Sequence, residues 1–133
     1  MDIVNEVTND DFGFVIDHVG INLSNEAEAR QVAATFSNLF NLPIGRDGKS
    51  SLYVDDTIEV LKKPGRGTHG HIAIATNDVA GARTWFESRG ILFSDESIKR
   101  DENGEMTVIY FQDEIAGFAI HLVRKMCAEN AKG

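Results

Sequence analysis

The chain has 133 residues, a formal net charge of −8 and a single cysteine, Cys127. That length is enough for one domain with a real core, and the acidic balance argues against nucleic acid or an anionic membrane as a partner, since both require a basic face. No apolar run is long enough to span a bilayer, Met1-Asp2-Ile3-Val4-Asn5-Glu6 lacks the pattern of a secretory signal, and a lone cysteine forms no internal disulfide, so a cytoplasmic location is expected.

Residues 1–13 are polar and acidic without a clear period and read as an N-terminal arm, with a short ordered piece around Ile3-Val4. Phe14 to Leu23 alternates as a strand. Strict alternation sets Val15, Asp17, Val19, Ile21 and Leu23 on one face and Phe14, Ile16, His18, Gly20 and Asn22 on the other. Asn25, followed three residues later by Glu28, predicts a capped helix. Ala29, Val32, Ala33, Phe36, Leu39 and Phe40 form its expected buried stripe, and Pro43 bars continuation past Asn41 or Leu42. Short strands are predicted over Ile44–Arg46, Ser51–Val54 and Thr57–Leu61, separated by turns at Asp47-Gly48 and Asp55-Asp56.

Lys62 to Gly70 is a Lys-, Gly- and Pro-rich linker. A strand over His71–Thr76 follows, then a helix capped by Asn77, carrying Val79, Ala82, Trp85 and Phe86, and closed by Gly90. Ile91–Phe93 reads as a strand and Ser94–Glu105 as a charged connection with a turn at Asn103-Gly104. Met106–Phe111 and Phe118–Val123 are the last strands, and residues 126–133 are a polar tail.

The chain is one unit written twice. An offset of 53 residues carries His18 onto His71 and Ala29-Arg30 onto Ala82-Arg83. An offset of 62 carries Ile58-Glu59-Val60-Leu61 onto Ile120-His121-Leu122-Val123, the difference fitting a longer hairpin in the second half. His18, Glu59, His71 and His121 thus occupy matched positions, each flanked on its strand by apolar residues of opposite parity. All four are expected on the face turned away from the helices, beside the small residues Gly20, Ala73 and Ala119. Three imidazoles and one carboxylate suit a divalent transition metal (Zn, Ni, Fe, Co or Mn) and suit Ca or Mg poorly. Lys63 and Lys125 share the parity of these ligands and are candidates to hold a substrate carboxylate or phosphate. Arg46, Ser51 and Tyr53 are further candidates to line the pocket.

The βαβββ repeat resembles the vicinal oxygen chelate superfamily, which includes glyoxalase I, methylmalonyl-CoA epimerase, extradiol dioxygenases and bleomycin-resistance proteins. Asp17-His18-Val19-Gly20-Ile21 and Gly70-His71-Ile72-Ala73 resemble its first-strand and fifth-strand metal motifs. Ile58-Glu59-Val60-Leu61 and Gly117-Phe118-Ala119-Ile120-His121-Leu122 resemble those of the fourth and eighth strands. At finer grain the chain is similar to the glyoxalase-like domain fused to some 2-keto-3-deoxy-phosphogluconate/4-hydroxy-2-oxoglutarate aldolases.

The resemblance implies an α+β domain over 14–125, with module one at 14–63 and module two at 69–125, forming a curved mixed sheet with a metal cleft. It implies a metal-dependent lyase or isomerase that chelates vicinal oxygens of a small 2-oxo or 2-hydroxy substrate and moves a proton through an enediolate. A homodimer is implied as well. Where glyoxalases and epimerases usually carry glutamate on the eighth strand, this chain has His121, which makes Glu59 the leading base with His121 beside it. The alternatives are an Fe(II)-dependent dioxygenase, whose two-His-one-carboxylate triad the set also matches, and a non-catalytic binding module of the bleomycin-resistance type.

Overall fold

The structure, a computed structural model, describes residues 8–126. Ile3, Val4 and Cys127 lie outside the described residues. Eight strands form one curved mixed sheet with two helices. Module one holds β1 (Val15–Asn22), α1 (Glu26–Phe40), β2 (Ile44–Asp47), β3 (Ser51–Val54) and β4 (Ile58–Leu61). Module two holds β5 (Gly70–Thr76), α2 (Val79–Glu87), β6 (Phe93–Arg100), β7 (Met106–Phe111) and β8 (Phe118–Arg124). The strand order is β2-β3-β4-β1-β5-β8-β7-β6. In each module the last strand lies parallel to the first, while β1 and β5 pair antiparallel at the centre and join the modules.

Each helix has its own core. Ala29 and Ala33 of α1 pack on Leu52, Val54 and Val60, and Val79 and Ala82 of α2 pack on Phe93, Ile109 and Leu122. The small residues on both helices let them lie close to the sheet, and removing this apolar surface from water supplies the main folding drive. Phe12 closes the second core from the arm. Its carbonyl accepts the buried Thr76 hydroxyl at 2.7 Å, and a 3₁₀ turn over Asn9–Phe12 delivers it there.

Several expectations are corrected. The first strand does not alternate strictly, because its register against β5 slips at Asp17: Ile16 pairs with Ile74 but His18 with Ala73. This bulge reverses the parity, so Phe14 packs into the second core and Ile16 shares the face of core-facing Ile74 instead of that of His18. On α1, Leu39 and Phe40 are exposed (71% and 62%), because the helix enters the first core only through Ala29, Val32, Ala33 and Phe36; Asn41 in the left-handed conformation then caps it. The cap of α2 is Asp78, one residue later, because the helix starts at Val79 and the Asp78 carboxylate accepts from Gly81 N; Asn77 N donates to the Phe12 carbonyl. Ser94–Glu105 is not a connection but mostly strand: β6 runs Phe93–Arg100 and pairs with β7, as the outermost strand of the sheet. Its outer edge is open to water, so charged side chains are tolerated and the alternation that marks a strand is lost.

Candidate metal centre

Register places the site. Glu59 and His71 stand opposite Gly20 from its two sides, while His18 and His121 stand opposite Ala73 from its two sides. Tyr53 extends the first row beyond Glu59, and Tyr110 extends the second beyond His121. The rows Tyr53–Glu59–Gly20–His71 and Tyr110–His121–Ala73–His18 correspond under a pseudo-two-fold axis between β1 and β5. One chain thus supplies all four corners.

The four predicted residues converge. His18, His71 and His121 each present a ring nitrogen, all within 4.8 Å of one another. Glu59 Oε1 lies 3.1 Å from His71 Nε2 and 3.5 Å from His18 Nε2, and those two nitrogens are 3.3 Å apart. Their partners orient them. The Asp17 carboxylate lies 2.7 Å from His18 Nδ1 and can only accept, so Nδ1 carries a proton and Nε2 is turned to the cluster. Ser51 Oγ donates to Glu59 Oε2 at 2.7 Å, leaving Oε1 toward the histidines. The nearest partner of His121 Nδ1 is the Leu122 carbonyl at 3.4 Å.

Electrostatics follow burial and partners. Burial raises the Glu59 pKa, but the hydrogen bonds from His71 and Ser51 and the nearby His71 and His18 charges outweigh it and bring the group down to about 2. Burial, then repulsion from His71 and His18, lowers His121 to about 4. Tyr53 is pushed up to about 12, first by burial and then by Glu59, and Tyr110 is raised by burial.

The lysine candidates are not brought to the cluster. Lys63 and Lys125 each lie four residues on from Glu59 and His121, beyond the ends of β4 and β8. Lys63 is exposed, and Lys125 Nζ sits by Gly13 and Asn77. Arg46, Ser51 and Tyr53 do border the site, and a cavity of about 560 Å³ beside it is lined by Asp17, His18, Arg46, Tyr53, Val123 and Met126, among others. Sequence reasoning passed over Asp17, Tyr110 and Arg66. The first was hidden by the bulge. Tyr110 was legible, since Leu52-Tyr53-Val54 is echoed by Ile109-Tyr110-Phe111. Arg66 lies in the linker, where no periodicity marks it.

The chain has the vicinal oxygen chelate fold, with two βαβββ modules side by side around one cleft. Similar solved structures include methylmalonyl-CoA epimerases. The enzyme from Mycobacterium tuberculosis has a TM-score of 0.62 at 15% identity, covering 96% of this chain and 98% of that one. A Streptomyces coelicolor enzyme in complex with 2-nitronate-propionyl-CoA has a TM-score of 0.58 at 17% identity, covering 84% and 97%. A hypothetical protein from Bacillus halodurans has a TM-score of 0.61 at 17% identity, covering 90% and 99%. At these identities the likeness is one of fold. The sequence matches no known family profile and no curated protein.

Proposed function

We propose that this protein is a divalent-metal-dependent isomerase or lyase that holds vicinal oxygens of a small 2-oxo or 2-hydroxy substrate and moves a proton at the adjoining carbon. The observation that carries this reading is the convergence of His18 Nε2, His71 Nε2 and Glu59 Oε1 within 3.5 Å of one another, with His121 alongside. The donors fit a borderline ion such as Zn, Ni, Fe, Co or Mn. Ligand atoms on bonds about 2.1 Å long stand about 3.0–3.4 Å apart around a tetrahedral or octahedral ion; the 3.1 and 3.3 Å contacts have that spacing and the third, at 3.5 Å, lies just beyond it.

His18, Glu59, His71 and His121 would hold the ion. Bound there, it supplies Lewis-acid stabilisation of the enolate-like charge. The remaining work falls to the chain. Asp17 keeps His18 in the tautomer that turns Nε2 inward. Ser51 fixes the Glu59 carboxylate.

Glu59 Oε1 and the His121 ring occupy equivalent corners on opposite rows, and Glu59 is the leading proton acceptor with His121 beside it. With pKa values brought to about 2 and about 4, both are in the proton-accepting form at neutral pH. Isomerase chemistry is preferred because the similar solved structures include epimerases.

The test is elemental analysis of the purified protein, followed by solvent-deuterium exchange into 2-oxo and 2-hydroxy acids and methylmalonyl-CoA with each ion. Stoichiometric metal and metal-dependent exchange are expected, both lost in a His18→Ala/His71→Ala double variant. Protein that takes up no transition metal, and whose ligand binding survives that double change, overturns the reading.

A further inference from the structure

Most arginines that reach a carboxylate here do so on the outer surface: Arg30 with Glu26 and Asp47, Arg83 with Glu87 and Asp95, Arg124 with Asp101. Arg46 and Arg66 differ. Among the described residues neither pairs with a carboxylate, in a chain with 21 acidic residues against 13 Lys and Arg. Each guanidinium instead lies over a tyrosine, Arg46 at 4.9 Å from the Tyr53 centroid and Arg66 at 4.6 Å from that of Tyr110. These are the tyrosines that end the two rows of the site. Ring contacts run Tyr53–His18–His121–Tyr110 with centroid steps of 6.0, 5.8 and 4.6 Å, so His18 and His121 stand between the two tyrosines that carry the cations.

The chain supplies this pairing in two unrelated ways. Arg46 stands on the edge strand β2, while Arg66 stands in the linker, which Asn22 clamps through Gly65 N and the Gly67 carbonyl. A relic of duplication would place both arginines at equivalent chain positions. Here the sequence positions differ and the spatial roles match, which points to a demand made by the cleft.

A guanidinium held over an aromatic ring is pre-oriented; Arg46 also hydrogen-bonds the Tyr53 hydroxyl, and its other N–H groups remain for contact with a carboxylate. Acidic groups limit the size of the anion. Asp17, Asp55 and Asp56 line the same cavity as Arg46, so a polyanion carrying more charge than Arg46 can pair meets like charge there.

Resting on the metal-enzyme reading above, we propose that the substrate is a short α-oxygenated dicarboxylate, its vicinal oxygens at the His18/Glu59/His71/His121 cluster and a carboxylate toward each of Arg46 and Arg66. One arginine takes the carboxylate next to the oxygenated carbon and the other takes the distal one.

Calorimetric titration of the metal-loaded protein tests this with malate and 2-hydroxyglutarate against 2-hydroxybutyrate and 2-hydroxyvalerate, which carry a methyl group in place of the distal carboxylate. At least one dicarboxylate is expected to bind tenfold or more tightly than its counterpart. Of Arg46→Gln and Arg66→Gln, one is expected to abolish that preference and the other to weaken both acids alike. Metal content is measured on the same samples. Protein without metal fails the enzyme reading. Metal-loaded protein that shows no preference for a dicarboxylate, or a preference indifferent to both substitutions, overturns the substrate class, as does binding of succinyl-CoA with no binding of the free acids.

Discussion

The ring of His71 occupies the space that a side chain on Gly20 would fill. A Cβ built on Gly20 would lie 2.1 Å from His71 Cε1 and 2.4 Å from its Nδ1. Gly20 stands directly across from both His71 and Glu59, so its missing side chain is what lets the imidazole lie over β1 and approach the carboxylate. Glycine is needed at this position for room.

Gly20→Ala is therefore expected to swing His71 out of the cluster. Metal affinity should fall about 10- to 100-fold, the usual effect of disturbing a ligand's support, while far-UV circular dichroism stays that of the parent. Chelator competition measures the affinity.

Asp17→Asn tests the device that orients His18. The amide can present either a donor or an acceptor to Nδ1, so the tautomer is no longer imposed. A loss of about tenfold or more in metal affinity is expected. Nitrogen NMR of the His18 ring should show a mixture of tautomers in place of one.

The metal-free protein should lose stability on mild acidification. His121 titrates at about 4 in the folded chain against an ordinary 6.5. A depressed pKa contributes stability that is fully present above pH 6.5 and is lost as pH falls toward 4. The loss is on the order of 2–3 kcal/mol. Glu59, lowered to about 2, adds a further loss below its ordinary value of 4.5. Thermal denaturation from pH 8 to pH 4 should show the decline, and His121→Gln should flatten the part between 6.5 and 4.

Thr76→Val probes the tie between arm and core. The fully buried Thr76 hydroxyl donates to the Phe12 carbonyl and accepts from Asp78 N, so valine leaves both groups without their partner. A destabilisation of about 1–3 kcal/mol is expected by urea denaturation, with metal affinity unchanged because the site lies on the opposite face of the sheet.

The repeat, the helices with their small buried residues, and the four corners His18, Glu59, His71 and His121 were legible in the linear chain. Duplication marks equivalent positions, and local alternation reports which face a side chain takes, so neither needs knowledge of a partner strand. Tertiary pairing decided the rest. A bulge exists only relative to the strand across from it, and the slip of β1 against β5 is what sets Phe14 in the core while Asp17 supports His18. Edge strands carry little apolar pattern, which is why β6 passed for a loop, and a helical period does not report where the sheet partner stops, which is why Leu39 and Phe40 stay in water. The stacking of Arg66 on Tyr110, across forty-odd residues of chain, was fixed only when the linker was clamped to β1 by Asn22. Sequence determined which residues meet around the site's centre, and folding determined what surrounds them, because contacts distant along the chain leave no period to read.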